Sequence, residues 1–198
     1  MKANADVSKL KVLTITSDVD AFVRLQSSLS SQYALQRVPD AEDTLTFSFS
    51  ETVQDIVLIF RTDVTAAYLE DLRDLLAKSP IPVILFTEAD PYHVAPIAIR
   101  YGVTSFVVAG FEPHRVPTLI EVSIERFKLH QALRNELTKS QEELAARKVI
   151  ERSKGLLMEK KQLNEQEAYR SLRELAMRQS KSIKEVAETL ILYSDILP

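Results

Sequence analysis

The last third of the chain constrains the fold most strongly, because it contains two helix-start signals at matching spacing. Asn164 is followed three residues later by Glu167, and Ser182 is followed in the same way by Glu185. In this pattern the first side chain accepts a hydrogen bond from an amide of the first helical turn, and the Glu side chain reaches back to the start. Helices are therefore predicted to begin after Asn164 and after Ser182, and an earlier helix to end near Lys161.

Apolar residues along this stretch recur at helical spacing. They are Val149, Ile150, Leu156, Leu157, Ala168, Leu172, Leu175, Ala176, Ile183, Val186, Ala187, Leu190 and Ile191. Three short amphipathic helices can bury one small core only by packing together. The segment is therefore predicted to form a three-helix bundle.

Specific residues in the bundle carry a family resemblance. In order, they are Arg147-Lys148, Ser153-Lys154-Gly155-Leu156-Leu157-Met158, Glu167-Ala168-Tyr169, Leu172-Arg173, Ala176-Met177 and Val186-Ala187. In this order and spacing they resemble the ANTAR domain, the RNA-binding module of bacterial transcription antiterminators. The family usually has Ala where this chain has Ser153. A generic three-helix tail for dimerisation or DNA binding is the alternative interpretation.

Charge is distributed unevenly along the chain. Residues 1–125 carry 10 Lys and Arg against 17 Asp and Glu, whereas residues 147–184 carry 11 against 5. An acidic first part joined to a basic segment indicates that only the C-terminal part meets a polyanion. The absence of cysteine excludes disulfides and Cys-based zinc sites, and no apolar run approaches membrane-spanning length. We expect a soluble, cytoplasmic protein.

The first half of the chain alternates β-rich runs with helical patterns. Ile56 to Phe60 and Pro82 to Phe86 are continuously apolar, as in strands that are buried on both faces of a sheet. The remaining strands are predicted at Val12–Ile15, Leu35–Val38 and Ser105–Val108, and helices at Asp20–Leu29, Ala66–Leu76 and Pro91–Tyr101. This order predicts an α/β domain with five parallel strands in flavodoxin-like order, covered by helices on both faces.

The predicted α/β domain resembles the receiver domain of two-component response regulators. Receivers place an acidic pair after the first strand, a phosphoacceptor Asp at the end of the third, Thr or Ser after the fourth and Lys after the fifth. In this chain the acidic pair falls on Thr16 and Ser17, the acceptor on Phe60, the hydroxyl residue on Thr87 and the Lys on Ala109. Only Thr87 fits the pattern.

The substituted positions remove the chemistry that a receiver needs. Phe60 has no nucleophilic oxygen, and Arg61 beside it repels Mg²⁺, which carboxylates would bind. Asp18 comes one place too late for the acidic pair, and Asp63 lies outside the apolar run. The domain is therefore predicted to be a pseudo-receiver, with a degenerate phosphorylation site.

A long helix is predicted between the two domains. Residues 118–154 contain neither Gly nor Pro before Gly155 and are rich in helix-forming residues. Leu133, Leu137, Ser140 and Leu144 follow a 4-3-4 spacing, the start of a heptad seam. The seam predicts a short, imperfect coiled coil and a parallel homodimer. The alternative is a helix that packs on its own receiver.

The order of the three parts narrows the resemblance. A pseudo-receiver over residues 1–115, a helical connector over 116–146 and an ANTAR domain over 147–198 resemble the layout of AmiR- and NasT-type regulators, closer to the NasT type in 115–134 and 144–148. The resemblance implies an antiterminator that binds leader-RNA hairpins and prevents termination. It also implies control by a NasS-like partner that senses nitrate or nitrite, in place of phosphorylation.

Spacing also suggests an RNA-contacting surface. Arg147, Lys154 and Lys161 are seven residues apart and fall along one line of a helix, whereas Arg170 and Arg173 are neighbours on the next helix. The candidate RNA-binding residues are Arg147, Lys148, Arg152, Lys154, Gly155, Lys161, Tyr169, Arg170 and Arg173. Tyr169 is open to two interpretations, as a core residue or as an RNA-facing one.

No enzymatic site is predicted. The three His residues lie far apart, the three Gly residues cannot form a phosphate-binding loop, and no catalytic set, metal site or cofactor motif is found.

Two other classes of protein stay open as alternatives to an RNA-binding antiterminator. One is a DNA-binding response regulator that uses residues 182–193 as its recognition helix, although Glu185 and Glu188 would face phosphates. The other is an adaptor with no nucleic-acid role, against which the clustered basic residues argue.

Overall fold

The computed structural model describes residues 9–29, 32–40, 54–88, 91–108 and 111–196. The chain folds as two compact units, residues 1–131 and 132–198. Within the described residues, no helix is both long enough and apolar enough to cross a membrane.

The first unit is built on a parallel sheet. Its strands are β1 (Leu10–Ile15), β2 (Tyr33–Val38), β3 (Ile56–Phe60), β4 (Val83–Thr87) and β5 (Ser105–Val108). All pairings are parallel, and the order across the sheet is β2-β1-β3-β4-β5. The predicted five strands in flavodoxin-like order are confirmed.

Helices cover both faces of this sheet. Successive strand residues point to opposite sides, so the apolar strands place side chains on both faces that need to be buried. The helices are α1 (Val19–Ser28), α2 (Ala66–Lys78) and α3 (Pro91–Arg100), followed by a short 3-10 turn (Pro113–Arg115) and the long α4 (Val116–Lys161). One core joins Leu13, Ile15, Val57, Ile59 and Leu85 to α2 and α3 through Tyr68, Leu69, Leu72 and Ala98. The other joins Val12, Ile56, Leu58, Ile84 and Phe86 to α1 and α4 through Leu25, Val116 and Ile120.

Polar side chains mark helix ends and one buried contact in this unit. The Asp18 carboxylate accepts a hydrogen bond from the Ala21 amide at 2.9 Å and caps α1. The hydroxyls of Ser105 on β5 and Ser123 on α4 lie 2.7 Å apart and are buried. Pairing two buried hydroxyls with each other satisfies both and holds the start of α4 against the sheet.

The helix α4 runs without a break for 46 residues, past Gly155. The predicted long helix is therefore confirmed. Val116, Ile120 and Ser123 at its start are buried, whereas every residue from 132 to 145 is exposed. The predicted boundary between residues 146 and 147 falls inside this helix, so the division into connector and C-terminal domain stays a prediction.

In the second unit, the end of α4 packs with α5 (Glu165–Gln179) and α6 (Ile183–Ile196). Their shared core consists of Leu157, Ala168, Leu172, Ala176 and Val186, with Ile150, Leu163, Leu175, Ile183 and Leu190 packed around it. The capping box of Asn164 and Glu167 forms in both directions at 2.9 Å, and Glu185 bonds to Ser182 as the spacing predicts. The three predicted helices therefore end and begin where the sequence indicates.

Candidate nucleic-acid interface and receiver site

Aromatic rings occupy the edge of the sheet where a receiver would carry its acceptor. Phe60 is the last residue of β3, as predicted, and its ring stacks on that of Phe86 with centroids 4.5 Å apart. Phe111 meets Phe60 edge-on at 4.8 Å. The position therefore contributes apolar packing and no oxygen that could accept a phosphoryl group.

Beside these rings, the Arg61 side chain contacts the segment after β2, the segment after β3 and the helix α2. Its Nη1 lies 2.9 Å from both carboxylate oxygens of Asp40, which follows β2, and its Nε donates to the backbone oxygen of Asp63 at 2.7 Å. The guanidinium carbon lies 4.3 Å from the ring centroid of Tyr68 on α2. Burial raises the pKa of the Tyr68 phenol, which stays neutral beneath the cation. The guanidinium thus pairs with the carboxylate of Asp40 beside the position of the missing acceptor.

The other predicted positions of the degenerate site make local hydrogen bonds. Thr16 Oγ1 accepts from the Asp18 amide at 3.1 Å, and Ser17 Oγ donates to the Asp40 carbonyl at 3.1 Å. Thr87 Oγ1 donates to the Thr62 carbonyl at 3.2 Å. Ala109 lies outside the described residues. Thr16, Ser17 and Thr87 border an open cleft of about 600 Å³.

The described part of the chain contains no group of three His, Asp or Glu side chains arranged to hold a metal ion. Asp18 is used as a helix cap and Asp40 as the partner of Arg61. The position of Asp40 explains why sequence reasoning missed this pair: it lies 21 residues from Arg61 and follows a different strand. Because β2 and β3 both flank β1, the strand order brings the two strand ends close together.

The outer face of α5 carries aromatic, basic and sulfur-containing side chains. Tyr169, Arg173 and Met177 follow one another at four-residue spacing, and Arg170 lies one turn before Arg173. Tyr169 is 44% exposed and Met177 72%, and both arginines are exposed. The core face of the same helix is formed by Ala168, Leu172 and Ala176. Tyr169 is therefore on the surface, which excludes its interpretation as a core residue.

Lys154, one of the predicted RNA-binding residues, is mostly shielded from solvent. It is 7% exposed, and its Nζ lies 2.7 Å from Glu165 Oε1 on α5 and 2.9 Å from Glu151 Oε1 on its own helix. The hydrogen bonds that the Lys154 ammonium donates to Glu165 and to Glu151 raise the pKa of Lys154. Of the three basic residues at seven-residue spacing, the middle one, Lys154, is therefore buried at the edge of the core. Arg147 and Lys161 are exposed.

Other predicted contacts on α4 are accessible. Lys148, Arg152 and Gly155 are exposed. A Cβ added at Gly155 would meet nothing within 4 Å in the described structure, although glycine inside a helix is about 1 kcal/mol less favourable than alanine. The described packing therefore gives no reason for glycine at this position, and its open side leaves room for a molecule outside the chain.

The start of α6 offers little positive charge for a DNA-reading helix. Glu185 accepts hydrogen bonds from the Ser182 amide at 2.7 Å and the Ser182 hydroxyl at 2.8 Å, which lower its pKa. Lys184 lies 3.8 Å from Glu188 on the same helix. The first turn of α6 thus presents the carboxylate of Glu185, which would repel DNA phosphates.

The predicted coiled-coil residues are exposed and apolar. Leu133, Leu137 and Leu144 are 55%, 59% and 57% exposed, within the stretch of α4 whose residues all face solvent. Side chains of this size usually remain exposed in a row only where they meet another surface. None of the three belongs to a hydrophobic core of the described structure.

Comparison with known proteins gives one family match and two curated relatives. Residues 138–191 match the ANTAR domain family. Over 139 residues the chain is 27% identical to the "Transcriptional regulatory protein PdtaR" of two Mycobacterium tuberculosis strains, CDC 1551 / Oshkosh and H37Rv. The similarity spans 70% of this chain and 65% of the relatives' length.

Solved structures resemble the first unit. A CheY-like response regulator receiver domain from Methanospirillum hungatei superposes with a TM-score of 0.53 at 11% identity, covering 62% of this chain and 99% of the receiver. A putative pilus assembly-related protein from Burkholderia pseudomallei gives 0.53 at 16%, covering 63% and 96%. A response regulator from Thermotoga maritima gives 0.51 at 13%, covering 59% and 98%. The first unit has the receiver fold, and the later part of the long helix and the C-terminal helices match the ANTAR domain.

Proposed function

We propose that the chain is an RNA-binding transcription antitermination regulator whose C-terminal helices contact leader-RNA hairpins and prevent termination. The main support for this proposal is the outer face of α5. This face presents an exposed aromatic ring beside two cations and a methionine: Tyr169, Arg170, Arg173 and Met177. The match of residues 138–191 to the ANTAR domain supports it, as does the name of the mycobacterial relatives. The role is regulatory, with no catalytic step.

The chemistry of the α5 face favours single-stranded loops of RNA. Proteins read RNA sequence mainly where bases are unpaired and can stack on aromatic or arginine side chains, because the duplex major groove is too narrow to enter. Tyr169 supplies a ring for stacking, and Arg170 and Arg173 supply charge for the flanking phosphates. Exposed basic residues on α4, including Arg147 and Lys161, extend the positive surface.

A direct binding comparison tests this function. The full chain is expected to bind a stem–loop RNA, enriched from a loop-randomised pool, more tightly than a DNA duplex of equal length at the same salt concentration. Fluorescence anisotropy measures both affinities. Equal or tighter binding to DNA would favour a DNA-binding regulator, and failure to enrich any RNA would favour an adaptor. Either result contradicts the proposal.

The receiver unit is proposed to act without phosphorylation. Phe60 provides no acceptor, Arg61 engages Asp40, and Asp18 caps a helix. Control then falls to a partner protein, for which the NasT-type resemblance suggests a nitrate- or nitrite-sensing, NasS-like protein. Such a partner would hold the chain away from RNA until its ligand arrives.

Incubation with acetyl phosphate and Mg²⁺ is expected to leave the mass of the protein unchanged. The physical reason is that the carboxyl edge of β3 ends in Phe60, and the nearest following carboxylate, Asp63, is exposed two residues beyond Arg61. Intact-mass spectrometry measures the result, with an authentic receiver as a positive control. One stoichiometric phosphoryl adduct on an Asp of the first unit would refute phosphorylation independence.

A parallel homodimer is part of the same proposal. Leu133, Leu137 and Leu144 form an exposed apolar row at near-heptad spacing on α4. A second copy of α4 would cover this row by knobs-into-holes packing. Pairing two chains would also present two RNA-binding units in one particle, which increases avidity for RNAs that carry two hairpins.

A further inference from the structure

Lys154 lies where α4 and α5 meet in the C-terminal unit. Its side chain is 9% exposed, whereas those of its two partners, Glu151 and Glu165, are 55% and 69% exposed. The lysine is thus the buried member of the cluster, and the carboxylates remain hydrated. Ser153 and Leu157 beside it on α4 are also buried.

The connection between these helices is short and well specified. The helix α4 ends at Lys161, Gln162 adopts a left-handed conformation with φ of 54°, and Asn164 begins the capping box of α5. Leu163 between them packs against the core. Glu165, the first residue of α5, then reaches Lys154 two turns back along α4. The ion pair therefore fastens the start of α5 to the side of α4.

We propose that Lys154 is a positioning residue, which fixes the orientation of α5 on α4 and does not itself contact RNA. This inference rests on the proposed function, because the surface that it positions is the outer face of α5 together with the exposed cations of α4. To reach a phosphate, the Lys154 ammonium would have to leave two carboxylates at 2.7 and 2.9 Å. Exposed Arg147 and Lys161 in the same row face no such requirement.

The salt dependence of binding separates positioning from contact. Each phosphate contact that is lost reduces the slope of log affinity against log salt by about 0.7 to 0.9. Replacing Lys154 by Gln is expected to weaken binding of the enriched stem–loop RNA about tenfold, an effect in the range for residues that act on a site without contacting its ligand, with the slope unchanged. Lys154→Arg, which keeps the charge and can reach both carboxylates, is expected to restore most of the affinity.

Two further variants separate positioning from a phosphate contact and from general electrostatic attraction. Arg173→Gln removes one charge from an exposed position and is expected to reduce the slope, which shows that the assay detects a lost phosphate contact. Glu165→Gln removes a negative charge and would strengthen RNA binding by simple electrostatics, but the positioning role predicts weaker binding. In the double variant of Lys154 and Glu165, the two losses are expected to be less than additive.

The outcomes distinguish this inference from the proposed function. A lower slope in Lys154→Gln, unchanged affinity in that variant, or tighter binding by Glu165→Gln would each overturn the positioning role. An unchanged slope in Arg173→Gln would instead count against the α5 face as the RNA surface. Circular dichroism of each full-length variant checks that the helices remain folded, and Glu165→Gln keeps the test open if Lys154→Gln unfolds the unit.

Discussion

Replacing Leu137 by Asp is expected to convert a dimer of this chain into monomers. Leu137 is the central apolar residue of the exposed row on α4 and is 59% exposed in the single chain. In a paired seam its replacement would place two carboxylates against apolar partners without a compensating charge, a change that is strongly destabilising. Sedimentation equilibrium of the wild-type and variant chains measures the loss of the dimer.

A matched control is available two residues earlier on α4. Asn135→Asp adds the same charge to an exposed position on the opposite side of the helix, and the dimer is expected to persist. Neither change touches a core of the two units, so the circular dichroism of both variants should keep its helical signal. A wild-type chain that sediments as a monomer, or a Leu137→Asp variant that stays dimeric, would show that another surface covers this row.

Local sequence patterns predict the secondary structure well in this chain, because its elements carry their own signals. Ile56–Phe60 and Ser105–Val108 are strands with the predicted bounds. Asn164 and Ser182 begin helices because their side chains satisfy amides of the first turn, an interaction within four residues. The alternation of strands and helices then leaves few topologies open, and the flavodoxin-like order follows.

Side-chain burial and long-range pairing were harder to predict. Lys154 belongs to a row with a seven-residue repeat, whose members lie within about 40° of one another around the helix. Periodicity therefore cannot distinguish the buried Lys154 from the exposed Arg147 and Lys161. The partner that holds Lys154 there, Glu165, comes from the next helix. Arg61 and Asp40 likewise pair only because the sheet order brings their strand ends together.

The spacing of apolar residues along α5 defines its core face, and the core face in turn predicts which residues lie on the outer face. Ala168, Leu172 and Ala176 fix the direction of the core, and Tyr169 and Arg173 each follow a core residue by one position. One position is a rotation of about 100° on a helix, enough to bring a side chain to the surface. The sequence alone left Tyr169 ambiguous because tyrosine is common both in cores and at binding surfaces.

Replacing Tyr169 by Ala is expected to weaken RNA-hairpin binding without unfolding the chain. Stacking of a base on an aromatic ring contributes about 1 to 3 kcal/mol, so the affinity should fall by roughly five- to 150-fold. Tyr169 is 44% exposed and lies outside the core of this unit, so its removal should lower the melting temperature only modestly. Because stacking on a base adds no phosphate contact, the salt slope should not change, in contrast with the loss of an arginine contact.

Two control variants show whether the effect of Tyr169 comes from stacking. Tyr169→Phe keeps the ring and should retain most of the affinity, which excludes a dominant contribution from the hydroxyl. Tyr193→Ala removes a ring that is 59% exposed on α6, outside the α5 face, and should leave binding unchanged. Anisotropy titrations and thermal melts of the same samples give both quantities. Equal losses of affinity in Tyr169→Ala and Tyr193→Ala would place the RNA across α6 as well. No loss in either variant would exclude stacking on these rings. The arginines of α5 and the basic residues of α4 would then bind RNA through its phosphates alone.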